Sequence, residues 1–292
     1  MSANKNYKDS VFTTLFNNPD LLRELYSALE GITLPQDVPV SINTLKNALI
    51  MDRYNDISFE IGGKLVILIE HQSTINPNMA LRLLMYITEI YERMIQGRNI
   101  YSDRHLSIPW PEFYVLYNGT SPFPDNEVLR LSDMFEKPQD LGLPIKANPL
   151  LELEVKVINI NEGRNETIVQ RCPKLHEYSA LTARINEYKQ KMGNLKEAIE
   201  EAIKFCHKND ILKEYLEHYG SEVLNMLYTE FNIEDAKAVW REEAHEDGRE
   251  KGLKEGRMEG REAGQKEVLE LLTQKLSKEE IEEIKLRLSD KL

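Results

Sequence analysis

Apolar and polar positions change their period twice along the chain. Between Asp9 and Leu29 the apolar residues recur at helical spacing. Val11, Phe12, Leu15 and Phe16 form one stripe, and Leu21, Leu22, Leu25, Tyr26 and Leu29 continue it past a break at Asn18-Pro19-Asp20. A loop containing Pro35 and Pro39 follows. Residues 54–61 then alternate polar and apolar, the pattern of a half-buried strand, Gly62-Gly63 supplies a turn, and residues 64–69 form a fully apolar strand. Residues 79–95 have helix composition with a broad apolar face. Residues 113–117, Phe-Tyr-Val-Leu-Tyr, run into Asn118-Gly119 as a buried strand, whereas Trp110, between Pro109 and Pro111, reads as part of a rigid loop. Residues 150–160 alternate again through Leu151, Leu153, Val155 and Val157. Beyond about Pro173 everything reads as helix. This order predicts an α/β fold over residues 1–174, a helical region over 175–245, and a tail over 246–292.

The tail has its own pattern. Gly248, Gly252, Gly256, Gly260 and Gly264 recur every four residues, separated almost entirely by Arg, Lys and Glu. Each glycine costs a helix interior about 1 kcal/mol relative to alanine, and no apolar face offsets that. Two readings stay open: a solvated, weakly helical connector, or a glycine seam along which two such helices approach closely. Residues 268–292 make a better amphipathic pair around Ser277 as N-cap, with Glu280 as its capping-box partner. They are expected to dock or to dimerise.

Composition narrows the class. In 292 residues, two cysteines, Cys172 and Cys206, cannot form a disulfide framework, and with no signal-like start they point to a reducing cytoplasm. The longest apolar run, Leu65-Val66-Ile67-Leu68-Ile69, is far short of the ~20 residues that span a bilayer. Charge argues against a nucleic-acid grip by phosphate neutralisation alone. The net charge is −12; residues 1–180 carry 17 basic and 23 acidic side chains, a net of −6, which leaves −6 for residues 181–292. Any such role must rest on a local site or on metal ions.

One constellation carries chemistry. Asp56 lies near the start of the first hairpin strand, and Glu70 and Gln72 lie at the end of the second, so a turn at Gly62-Gly63 brings all three together. A strict two-residue turn would put Asp56 and Glu70 on opposite faces. A three-residue loop, Ile61-Gly62-Gly63, puts Asp56, Leu68, Glu70 and Gln72 on one face. Two carboxylates with a backbone carbonyl are hard oxygen ligands that suit Mg²⁺, with Mn²⁺ as a substitute, and such an ion activates water and neutralises charge on a phosphate. The glutamine is placed to orient water or hydrogen-bond the phosphate. The competing reading is bland: strand-end carboxylates are often only solvated or paired with an arginine.

The residues Tyr54-Asn55-Asp56-Ile57-Ser58-Phe59-Glu60, then Leu65-Val66-Ile67-Leu68-Ile69-Glu70-His71-Gln72-Ser73, then Met79-Ala80-Leu81-Arg82-Leu83-Leu84-Met85-Tyr86 resemble the PD-(D/E)XK nuclease-fold putative transposases, the bacterial recombination-promoting nucleases. Lys8-Asp9-Ser10-Val11-Phe12 resembles that family's opening helix, Tyr117-Asn118-Gly119 its next strand, and the glycine-every-four tail its C-termini. The resemblance implies a restriction-endonuclease-like mixed sheet flanked by helices over residues 1–174, acting as a Mg²⁺-dependent DNA endonuclease. It makes Asp56, Glu70 and Gln72 catalytic and Asp56 and Glu70 the metal ligands, with Gln72 where the superfamily usually has lysine. Asp9 would be an additional acidic group, and Arg82 and Tyr86 would face the phosphate or buttress the site.

The remaining chemistry-bearing residues point elsewhere. His71 alternates to the opposite face from Glu70 and Gln72 and is expected to be packed rather than a ligand. The other histidines have no spacing suited to zinc, and Cys206 lies in an apolar pattern. No phosphate-cradling glycine motif occurs. Two functions from different classes remain: the endonuclease, with DNA as partner, and a catalytically weak nuclease-fold protein acting through homo-oligomerisation of its helical C-terminal region or through a protein partner.

Overall fold

The computed structural model describes residues 10–43, 56–136, 149–220 and 222–231. The chain divides into two compact units, Met1–Glu234 and Asp235–Leu292; the second lies outside the described residues, as do Asp9, Tyr54, Asn55 and the Ser277–Glu280 capping pair.

Helix α1 (Val11–Leu15) starts at Ser10, whose hydroxyl accepts the Thr13 N–H at 3.1 Å. The break at residues 18–20 separates it from α2 (Pro19–Glu30). There Asn18 caps through hydrogen bonds from Asp20 and Leu21, Pro19 fits the first turn, and Gly31 ends the helix at φ 67°. Strand β1 (Val40–Ile42) directly follows the proline-containing loop. Then come β2 (Ile57–Ile61), β3 (Leu65–Gln72), α3 (Met79–Met94), β4 (Trp110–Tyr117), β5 (Asn126–Arg130), a 3₁₀ turn (Leu131–Met134) and β6 (Glu154–Asn159). Helices α4 (Glu166–Val169), α5 (Pro173–Met192) and α6 (Leu195–Lys208) complete the series, and residues 213–220 and 222–231 are helical again. The expected 174/175 division therefore falls inside α5.

The six strands form one mixed sheet in the order β1-β2-β3-β4-β6-β5. β3 pairs antiparallel with β2 and parallel with β4, so α3 is the crossover between two parallel neighbours. Helices cover both faces, which is why β3 reads as an unbroken apolar run. One face, with Phe59, Ile67, Ile69, Tyr114, Leu116 and Ile158, packs on α1, α2, α5, α6 and the 213–231 helical segments. The other, with Val66, Leu68, Val115, Tyr117, Val155 and Val157, packs on α3. This is the α/β architecture with a helical C-terminal region that the sequence predicts. Among the described residues no helix is long and apolar enough to cross a membrane.

Two expectations need correction. The hairpin loop has three residues but lies one position further on: Ile61 pairs with Leu65, leaving Gly62, Gly63 and Lys64 in the loop, with Gly62 at φ 59° and Gly63 at φ 64°. Both loops preserve parity, but the observed one brings Asp56 to the position opposite Glu70 instead of Leu68. Trp110 does not lie in a loop; it opens β4, its N–H donating to the Lys64 carbonyl at 2.8 Å. Pro111 is tolerated there because β6 pairs with β4 only from Tyr114 onward, so among the described residues no strand partner faces its missing N–H.

Candidate active site

The hairpin and the parallel neighbour of β3 place the candidate residues at one end of the sheet. Ile57 opposite Ile69 is the last pair of the β2–β3 ladder, and Asp56 stands one step beyond it. Its own N–H donates to Glu70 Oε1 at 3.1 Å, and its carboxylate oxygen Oδ2 accepts the His71 N–H at 2.7 Å. The two carboxylates therefore face one another across the end of the hairpin, on the side covered by α3.

Helix α3 brings its second turn over this pair. Arg82 Nη2 lies 3.4 Å from Glu70 Oε2, and Arg82 also donates to the Tyr86 hydroxyl from Nη2 at 2.8 Å and from Nε at 3.2 Å. Their i, i+4 spacing makes this contact possible. The Glu70 side chain is 4% exposed and that of Arg82 35%, so the guanidinium bridges a buried carboxylate and solvent.

Burial and the nearby Asp56 carboxylate push Glu70 well above the usual carboxylate range; Arg82 and the Asp56 N–H only partly oppose them. Burial disfavours the charge on Arg82, but Glu70 and the Tyr86 hydroxyl outweigh it and hold the guanidinium above its ordinary value. Burial and Glu70 raise the Tyr86 phenol. Among the described residues no group of three or more His, Cys, Asp or Glu side chains could hold a metal ion. Among the described residues, the site offers a carboxylate pair whose repulsion Arg82 incompletely relieves.

Gln72 shares this face one step along β3, but its amide is engaged away from the carboxylates. Nε2 donates to the Met79 sulfur at 2.8 Å, and Oε1 accepts the Asn76 N–H at 3.1 Å, tying down the connection into α3. Arg82 Nη1 lies 3.3 Å from the same sulfur. The structure thus brings Asp56, Glu70, Arg82 and Tyr86 into one cluster, with Gln72 at its margin.

His71 turns to the opposite face, as alternation predicts. Its ring stacks on Phe12 with centroids 5.0 Å apart, Nε2 lies 3.1 Å from the Tyr178 hydroxyl, and Nδ1 lies 3.6 Å from Glu230 Oε1. Burial pushes the imidazole down to about 4, with Asn118 acting in the other direction, so at neutral pH the ring is uncharged and the Glu230 contact is not an ion pair. Sequence reasoning did not find Met79, Tyr178 or Glu230. Tyr178 and Glu230 are 107 and 52 positions away from their partners in this network, and no local pattern marks them.

The family model described as "Putative transposase, YhgA-like" matches residues 8–210, more than half of the chain, and the protein belongs to that family. The matched span holds Asp56, Glu70, Gln72, Arg82 and Tyr86; Glu230 lies beyond it. No curated protein and no solved structure matches the chain.

Proposed function

We propose that the protein is a metal-dependent DNA endonuclease whose site is built on Asp56 and Glu70. The observation that carries this reading is the carboxylate pair at the sheet end, half-buried Asp56 against buried Glu70, with Glu70 held well above its usual range by burial and by Asp56. A divalent cation relieves that repulsion, and hard oxygen donors suit Mg²⁺, which binds through one or two carboxylates and keeps several waters. Asp56 and Glu70 would hold it, together with the His71 carbonyl, which leaves β3 on the same edge as the N–H that reaches Asp56. Bound there, Mg²⁺ or Mn²⁺ would supply an activated water and charge neutralisation at a phosphodiester.

The chain's own residues do the rest. Arg82, partly exposed beside Glu70, binds a non-bridging phosphate oxygen and counters the charge that develops there. Tyr86 accepts two N–H donations from that guanidinium and fixes its direction. Gln72 braces the connection between β3 and α3. The family's description as transposases supports DNA as the substrate. With a net charge of −12, affinity for DNA rests on this site more than on a basic surface.

A second reading is favoured by one observation. Gln72 is neutral and its amide is committed to Met79 and Asn76, so among the described residues β3 itself supplies no cation beside Glu70. On this reading the fold is catalytically weak and acts through self-association or a protein partner. Nicking of supercoiled plasmid in Mg²⁺, Mn²⁺ or chelator separates the two. The endonuclease nicks in metal only, and Asp56→Ala abolishes nicking; folded protein that nicks in no metal supports the second reading.

A further inference from the structure

We infer that Tyr178 and Glu230 are positioning residues for the carboxylate pair, acting through His71 from the opposite face of the sheet. The inference rests on the metal site proposed above and adds to it a support outside the stretch that the family model matches. His71 serves both faces of β3. Its main-chain N–H holds the Asp56 carboxylate at 2.7 Å, and its imidazole is buried in the helical layer with 5% side-chain exposure.

That imidazole is held by a chain of donors. The Tyr178 hydroxyl lies 3.1 Å from His71 Nε2 and 3.2 Å from Glu230 Oε1. A hydroxyl has one proton to give. The arrangement that satisfies both contacts is His71 Nε2–H donating to the tyrosine oxygen and Tyr178 O–H donating to Glu230. Phe12 stacks on one side of the imidazole, and Tyr178 meets it edge-on at 5.3 Å between centroids. Asp56 lies one step past the end of the β2–β3 ladder, where strand pairing no longer fixes it. The His71 N–H is one of the contacts that orient its carboxylate, beside the bond from the Asp56 N–H to Glu70 Oε1. Tilting His71 would move that donor and the carbonyl on the same strand edge together. Glu230 belongs to the helical segment 222–231, whose Val223, Leu227 and Phe231 are buried in the same core as α1 and α5. The helical layer is thus mechanically continuous with the site.

The test is Mn²⁺ binding by calorimetry on the full chain, well below the melting temperature of each variant and without DNA. Tyr178→Phe and Glu230→Ala should weaken Mn²⁺ binding about tenfold, the lower end of what loss of a residue supporting a metal ligand costs. Glu230→Gln keeps an acceptor for the tyrosine and should retain the wild-type affinity. Ser179→Ala, which removes a buried hydrogen bond to the Ile160 carbonyl one residue away on α5, should lower the melting temperature and leave Mn²⁺ affinity unchanged. Unchanged affinity in Tyr178→Phe and Glu230→Ala overturns the inference. So does a loss of affinity that tracks melting temperature across all four variants, Ser179→Ala included. Wild-type protein that binds no Mn²⁺ overturns the metal site itself, and the inference with it.

Discussion

A methyl group on Gly119 would lie 1.7 Å from the Ser73 carbonyl oxygen and 2.6 Å from the Tyr117 hydroxyl. The connection leaving Gln72 therefore packs directly on the end of β4, and the Asn161 amide donates to the Gly119 carbonyl at 2.9 Å to complete the contact. Gly119→Ala forces backbone to move and should cost about 3 kcal/mol, the upper end of overpacking penalties. Denaturant unfolding would show it as a lower midpoint at unchanged slope; an unchanged midpoint would refute the close approach. Sequence reading took Asn118-Gly119 as the end of a buried strand and as part of a resemblance, but nothing local says which backbone will pass over a glycine. Asp56 and Glu70 were legible for the opposite reason. Their meeting depends on the two-residue period of a hairpin, and a loop displaced by one position keeps that parity.

At the scale of elements, the long apolar segments announced themselves and the edge strands did not. β3 and β4 are buried on both faces and read as continuous apolar runs, whereas β5 is Asn-Glu-Val-Leu-Arg with a single neighbour and an almost wholly exposed pattern. β1 has three residues at the other edge. Such strands are defined by what they pair with, so their own composition says little. The helical layer can be tested through its thiols. Burial pushes both Cys172, at the start of α5, and Cys206, in α6, up to about 12. A raised thiol value keeps the unreactive protonated form dominant at pH 8. Iodoacetamide should therefore modify native protein far more slowly than unfolded protein, with the rate rising only at strongly alkaline pH. Native alkylation as fast as in denaturant would mean that these helices are not packed as described.

For the molecule as a whole, the core extends past the end of the family match at residue 210. Leu212, Leu216, Val223, Leu227 and Phe231 are all buried against the sheet's helical layer. At ~1.5–3 kcal/mol each, they contribute on the order of 10 kcal/mol, comparable to the entire stability of an ordinary domain, about 5–15 kcal/mol. A chain ending at 210 should lack cooperative thermal unfolding, and one ending at 234 should retain it. Cooperative melting of the shorter chain would contradict this view of the core. A deletion meant to test self-association through the tail must therefore begin at 235, and light scattering on that chain is its readout.

The measurement that bears most directly on the account pairs plasmid nicking with thermal melting for Glu70→Gln. Glu70 is a carboxylate that its surroundings oppose, so a neutral side chain of the same shape should leave metal-free protein at least as stable as wild type. Nicking in Mg²⁺ should disappear in the same variant. Nicking at the wild-type rate would show that Glu70 holds no metal, and a large drop in melting temperature would show that its charge serves the fold instead of the chemistry.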